Sequence, residues 1–285
     1  MTAAGTVRRI GFAYNPTADA AVELRERAAG WCAVRGIEQW ALTAADLDGL
    51  RRELPSTDVL VVLGGDGTLL RAVQAVVESG TPLLGVNVGK VGFLSKVESD
   101  GLDRVLGQLV AGEYRIEERM GLEGLILRGG RDGAAERHHA LNDIVIARGS
   151  LARVCRLDVA IDDSHLATFI ADGLVVASPT GSTGYSFSAG GPIVAPESRN
   201  LIVTPIAGYL SAIRSIVVEP TRVVRCRVQD AYEALVSIDG REDIPIAVGD
   251  VVEVRAIDAP IRFVQPEGAL PFWDLVRRKV ELLPS

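Results

Sequence analysis

The segment 59–73, VLVVLGGDGTLLRAV, sets an apolar run against Gly64, Gly65, Asp66, Gly67 and Thr68, then returns to an apolar pattern. Glycines at the end of a buried strand permit unusual backbone angles and the close approach of a phosphate. A helix that starts there offers unpaired N–H groups and a partial positive charge to the same anion. Thr68 can cap that helix or donate its hydroxyl. Asp66 is the odd member, because its charge repels phosphate. It fits as the acceptor of a proton from an attacking hydroxyl, or as a ligand of the magnesium that accompanies a nucleoside triphosphate. An aspartate that merely caps the helix is the structural alternative. No GK[ST] follows, so a Walker loop is excluded, and a dinucleotide G-x-G-x-x-G loop fits poorly.

Three further stretches carry recognition chemistry. GVNVGKVGFL (85–94) holds Asn87, whose amide can pair with ribose or base edges, and Phe93, whose ring can cover an adenine face. LNDIVIARG (141–149) places Asn142 beside Asp143; an adjacent amide and carboxylate suit the vicinal hydroxyls of a ribose, and equally a turn before a strand. DGLVVASPTGSTGYSFSAGGPIV (172–194) gathers Ser182, Thr183 and Ser188 around glycines at the start of a short helix. Those hydroxyls suit base edges and phosphates, Tyr185 offers a stacking face, and Asp172 can read an amide or hydroxyl.

The elements that must position these residues change character along the chain. Residues 8–15 read as a strand, 17–35 as a helix, EQWAL as a strand and 44–54 as a short helix. DVLVVL is a continuous branched run that suits a buried central strand, LLRAVQAVVES a helix and PLLGVN another strand. Strands alternating with helices imply a parallel sheet covered on both faces, with ligands bound at the carboxyl ends of its strands. Beyond about residue 113, short runs with period-two alternation take over. They include YRIEERMGLEGLILRGG, VCRLDVAIDD, HLATFIADGLVVASP, RVVRCRVQD and DVVEVRAI. That is the pattern of antiparallel sheets in a sandwich. PFWDLVRRKVELL returns to helical spacing. The fold class expected is therefore α/β plus all-β. Residues 1–115 form a Rossmann-like α/β phosphate-loop domain and 116–269 a β-rich, sandwich-type domain, with helix 270–285 packed back on the first.

The whole chain sets outer limits. Its 285 residues, 48% hydrophobic and 24% charged, have the balance of a globular protein with room for two domains. A net charge of −7 argues against a general nucleic-acid binder, and no stretch approaches the roughly 18–20 apolar residues that span a bilayer. The opening MTAAGTVRRIGFAYN lacks the apolar core and cleavage site of a signal peptide, so a cytoplasmic location is expected. Cys32, Cys155 and Cys226 stand far apart with no CxxC pair, which suits buried thiols rather than disulfides or zinc.

GGDGT resembles the phosphate loop of ATP-NAD kinases, of the diacylglycerol and sphingosine kinase group and, in related form, of phosphofructokinases. The other three stretches resemble NAD kinases specifically: G-x-N-x-G-x-x-G-F-L, the short N-[E/D] motif, and D-G-x-x-x-x-[T/S]-P-T-G-S-T-A-Y-x-x-S-A-G-G-P. TPIAGYLSAIRSIVV, SIDG and FWDLVRRKV are similar to further family segments, so the resemblance runs from about residue 8 to 280. It implies an α/β and a β domain with the site between them, often completed by a neighbouring subunit in a homodimer or homotetramer. The implied reaction transfers a phosphoryl group from ATP, or polyphosphate, to the 2′-hydroxyl of the adenosine ribose of NAD(H), with a divalent metal, Mg2+. Carried onto this chain, Asp66 is the general base and Gly67 lies beside the substrate. Arg71 and Arg153 occupy basic binding positions, Asn87 and Phe93 face the dinucleotide, Asn142 and Asp143 bind the ribose, and Thr183 binds the adenine. Asp172, Gly184, Tyr185 and Ser188 bind other parts. Four positions depart from the pattern: Gly184 replaces alanine, Tyr209 histidine, Arg241 the glutamine after D-G, and Ile170 a residue that is often basic. They bear on the dinucleotide pocket, the subunit contact or the choice between NAD and NADH. A lipid kinase of the diacylglycerol kinase type and a non-catalytic dinucleotide sensor remain as alternatives.

Overall fold

The computed structural model describes residues 7–89, 92–130, 134–150, 153–209 and 213–281. It divides into two compact units, Met1–Glu118 with Ile261–Ser285, and Arg119–Pro260.

The first unit opens with β1 (Arg9–Tyr14), α1 (Asp19–Arg35), β2 (Glu38–Thr43), α2 (Leu47–Glu53), β3 (Val59–Leu63) and α3 (Asp66–Ser79). It continues with β4 (Leu83–Asn87), β5 (Val97–Glu98), α4 (Leu102–Ala111) and β6 (Tyr114–Arg119). The sheet runs β2-β1-β3-β4, then the strand Ile261–Pro266, then β6, with β5 beside β4. Pairs β1–β2, β1–β3 and β3–β4 are parallel. Every residue of β3 and β4 is buried, which accounts for their unbroken apolar runs. The strand order reverses at β1, so the carboxyl ends of β1 and β3 frame the crevice where open α/β sheets bind ligands.

The second unit holds β7 (Leu122–Leu127), β8 (Ala135–Ala140), β9 (Asp143–Arg148), β10 (Cys155–Ile161), β11 (Ser164–Ala171) and β12 (Gly173–Ala177). After the short helix α5 (Tyr185–Ser188) come β13 (Leu201–Ile206), β14 (Ile216–Val218), β15 (Val224–Asp230), β16 (Ala234–Ile238), β17 (Glu242–Ile246) and β18 (Val251–Ala256). They form two six-stranded sheets, ordered β11-β10-β15-β18-β7-β8 and β14-β13-β12-β9-β16-β17. Leu157, Val159, Cys226 and Val252 of one sheet share a core with Ile144, Ile146, Val176 and Val236 of the other. This is a sandwich whose strands alternate inward and outward. The outer face of the second sheet is also apolar: Val145, Val175, Ala177 and Ile202 are packed by Ala189 and Val194. The glycine-rich segment after β12 is thereby pressed onto that face.

Three sequence expectations change. YRIEERMGLEGLILRGG, read as one run, breaks at Met120–Gly121 into β6 and β7, which lie in different sheets. HLATFIADGLVVASP breaks at Asp172 into β11 and β12, also in different sheets. Residues 261–266, read with the β-rich part, form a strand of the first unit's sheet, and the 115/116 boundary falls inside β6. Period-two alternation marks a strand and its buried face but says nothing of which sheet it joins.

Candidate active site

At the carboxyl end of β3, Gly65 stands at the N-cap of α3 and no side chain caps the helix. None of Gly64, Gly65 and Gly67 has a positive φ, so these glycines serve room rather than unusual angles. A Cβ on Gly64 would lie 2.5 Å from the Thr68 hydroxyl, whereas Gly65 and Gly67 are exposed and face open space. The N–H groups of Thr68 and Leu69 bond to Gly65 O, while those of Gly65, Asp66 and Gly67 have no partner among the described residues. This is the equipment of an anion site on a 14-residue helix. Arg71 is exposed on the same helix.

The Asp66 side chain does not cap its helix. It reaches to the loop after β4, where one carboxylate oxygen accepts the Phe93 N–H at 3.0 Å and the other the Leu94 N–H at 3.3 Å. Gly92 makes this possible, because a Cβ there would fall on the carboxylate. Each oxygen keeps a lone pair for a further donor. Asn87 is buried and spends both ends of its amide on its own turn, donating to Gly89 O at 2.8 Å and accepting from Gly89 N–H at 3.3 Å. In this structure Asn87 fixes the turn to Gly89, and Phe93 is half-buried.

In the second unit the ribose motif and the glycine-rich segment meet. Ser178 donates its hydroxyl to Leu141 O and its N–H to Asn142 O, and Gly181 sits so close to the Asn142 carbonyl that no Cβ fits. A Cβ on Gly184 would stand 3.2 Å from Gly181 O and 3.6 Å from an Asp143 carboxylate oxygen. The Asn142 amide has no partner among the described residues, while Thr183 donates its hydroxyl to Thr180 O at 3.2 Å. Tyr185 and Ser188 are exposed on α5. Ser182, expected to face ligand, is instead fully buried: it donates to Val194 O at 3.1 Å and accepts Val194 N–H at 3.0 Å.

Asp143 lies buried over Asp239. Burial, and then the charge of Asp239, pushes its carboxyl up to about 7. Burial raises Asp239 too, against the pull of three backbone N–H groups and Arg241.

Asp172 and Arg153 do not join that cluster. In the β9–β12 ladder Ala177 pairs with Asp143 and Gly173 with Ala147, so Asp172, one residue further on, stands at the opposite end, roughly 17 Å away by strand rise. Arg148, which sequence reasoning missed, grips it through Nε at 2.7 Å and Nη2 at 3.1 Å. Arg153 is exposed and stacks 4.6 Å over the Tyr232 ring. Gly92 and Asp239 were also missed; a D-G pair signals a hairpin, but nothing in it tells where the carboxylate points.

Residues 9–114 match the family model of the ATP-NAD kinase N-terminal domain, and residues 141–266 that of the ATP-NAD kinase C-terminal domain. The chain is 38% identical over 280 residues to an NAD kinase of Heliobacterium modesticaldum, covering 95% of this chain and 98% of that one. The chain belongs to the NAD kinase family. An NAD kinase of Moorella thermoacetica is 40% identical over 261 residues, 91% of this chain and 79% of its own. Among solved structures, yeast NADH kinase complexed with NADH superposes with a TM-score of 0.79 at 25% identity, covering 98% of this chain and 88% of that one. An Archaeoglobus fulgidus NAD kinase in complex with ATP gives 0.78 at 24% identity over 97% and 100%, a likeness of fold. NAD kinases are phosphotransferases, and both halves of the chain match them, which sets aside the diacylglycerol kinase alternative that GGDGT alone left open.

Proposed function

We propose that this NAD kinase transfers the terminal phosphoryl group of ATP to the 2′-hydroxyl of the adenosine ribose of NAD(H), with Asp66 as general base. The observation that carries the reading is the aim of Asp66: a carboxylate oriented by the Phe93 and Leu94 N–H groups beside a helix start whose Gly65 and Gly67 are open. The hydroxyl oxygen attacks phosphorus, the bond to the ADP oxygen breaks, and Asp66 accepts the hydroxyl proton late in a loose transition state. The free N–H groups before and within the first turn of α3 receive phosphate charge, with Gly64 and Thr68 shaping the turn and Arg71 adding a cation. Asn142 and Asp143 bind the ribose, Thr183 and Gly184 border the adenine, and Tyr185, Ser188 and Phe93 contact other parts of the dinucleotide. That the yeast relative was solved with NADH, and that both halves of the chain match ATP-NAD kinase domains, supports both substrates.

Among the described residues no three His, Cys, Asp or Glu side chains gather as a metal cluster. Mg2+ commonly relies on one or two carboxylates and the substrate phosphates, so it would arrive with ATP and would neutralise phosphate charge there. The Asp172 end of the sandwich is assigned to a subunit contact in a homodimer or homotetramer. Supporting this, Arg148, Arg153 and Tyr209 lie in or near that end, with Tyr209 66% exposed and its N–H on Ile170 O at 2.8 Å. Sedimentation equilibrium tests it; a monomer at assay concentration removes the assignment. Cys32, Cys155 and Cys226 are buried free thiols, which suits a cytoplasmic setting. No helix among the described residues is long and apolar enough to cross a membrane.

The test of the reaction is purified protein with ATP and Mg2+, offered NAD or NADH, with product read by mass spectrometry. NADP or NADPH is the expected product, and their ratio reports the redox preference. No product with ATP or with polyphosphate would return the protein to the sensor reading.

A further inference from the structure

Asp239 carries no expected role, yet it grips the ribose motif at three consecutive residues. Its carboxylate accepts the N–H of Leu141 at 3.0 Å, of Asn142 at 2.7 Å and of Asp143 at 3.1 Å. Its own N–H donates to Asp143 O at 3.0 Å, and its side chain is wholly buried. The turn that supplies it is specific. Asp239 (φ 51°) and Gly240 (φ 62°) join β16 to β17, closed by Arg241 N–H to Ile238 O at 3.0 Å. Both are left-handed, as an Asp-Gly turn favours, and with Arg241 they make up the three residues between the paired Ile238 and Glu242. The ladder pairs Ile238 with Ile144, so this turn abuts the start of β9.

The other side of the same segment is held by Ser178, whose hydroxyl and N–H reach Leu141 O and Asn142 O. The backbone of 141–143 is thus fastened through its N–H groups by Asp239 and through its carbonyls by Ser178. Rotating Asn142 or Asp143 away would leave a buried carboxylate without its donors, a costly state. Arg241 Nη2 lies 3.8 Å from the Asp239 carboxylate, at the position where the resemblance to the family leads one to expect glutamine. In this chain that departure supplies a countercharge.

We infer that Asp239 is a positioning residue for dinucleotide binding, which fixes the Asn142 and Asp143 side chains by holding their backbone, with Arg241 as its charge partner. The inference rests on the reading that Asn142 and Asp143 bind the ribose. The test uses the full-length protein with NAD, measuring Kd by calorimetry, KM and kcat with ATP and Mg2+, and the melting temperature. The variants are Asn142→Ala, Asp239→Asn and Arg241→Gln. Asparagine tolerates the left-handed turn and keeps one acceptor oxygen. Asn142→Ala and Asp239→Asn are each expected to raise Kd and KM for NAD about tenfold, with kcat at saturating NAD changed less than about threefold. Arg241→Gln is expected to raise them about two- to threefold. A rise for Asn142→Ala with none for Asp239→Asn, whatever its melting temperature, overturns the inference and leaves the ribose reading standing. No rise for Asn142→Ala removes the ribose reading and the inference with it. If Asp239→Asn does not fold, Arg241→Gln decides: unchanged affinity overturns the inference.

Discussion

Asp66 is one carboxylate with two partners already in place, and that arrangement separates its shape from its basicity. Asp66→Asn preserves the volume and one acceptor but removes the base. Turnover should fall by about 10²- to 10⁴-fold, with NAD affinity measured by calorimetry nearly unchanged. An active Asp66→Asn protein would end the base assignment. Asp143 is a second carboxylate whose setting has a measurable consequence. Its carboxyl rises from 3.8 in the unfolded chain to about 7 when buried over Asp239, so the folded state holds a proton that the unfolded state has lost. The stability this group contributes is present below pH 3.8 and is lost as pH climbs through about 7. Asp143→Asn cannot ionise, so its melting temperature should gain on the parent protein between about pH 5 and about pH 8. A constant difference across that range would mean that Asp143 is not the titrating group.

At the scale of elements, loop geometry does what residue type alone does not. The GGDGT loop and the GVNVGKVGFL loop were legible as neighbours of two strand ends, because β3 and β4 are continuous buried runs. That Asp66 links them was not legible, since a carboxylate's reach depends on Gly92 leaving space. Gly92→Ala should therefore lower turnover as far as Asp66→Asn does, a result read from steady-state kinetics alongside a melting curve that shows the protein folded. The glycines of the loop itself divide by their surroundings. Gly64→Ala meets the Thr68 side chain and should cost about 1–3 kcal/mol of stability by denaturant titration. Gly65→Ala meets nothing and should change stability by less than about 1 kcal/mol while raising the KM for ATP. Equal effects from the two substitutions would show that the open side of the loop receives no phosphate.

Across the whole molecule, the first unit depends on residues from the far end of the chain. The strand Ile261–Pro266 lies between β4 and β6, and Ile261, Phe263 and Val264 are buried there. Burying each such side chain is worth about 1.5–3 kcal/mol, so their joint loss rivals the roughly 5–15 kcal/mol that stabilises a domain. A chain ending at residue 260 should lose cooperative unfolding of the first unit and all activity. One ending at residue 268 loses only the helix Phe272–Glu281, with its buried Leu275, and should melt several degrees lower while staying folded. Circular dichroism melts of the two truncations distinguish these outcomes.

Local pattern was enough for the α/β-then-β order of the chain, the phosphate loop, and the family, because hydrophobic periodicity and a long ordered set of motifs are properties of contiguous residues. Contacts between distant segments were decided only by the tertiary structure. It split YRIEERMGLEGLILRGG and HLATFIADGLVVASP between sheets, inserted Ile261–Pro266 into the first sheet, turned Ser182 inward, and separated Asp172 from Asn142 by the length of a strand. It also brought the Asp239 carboxylate under Leu141, Asn142 and Asp143, nearly a hundred residues away. Alternation names the buried face of a strand, but the partner of that face, and the direction of a turn's carboxylate, are set by which sheets pack together.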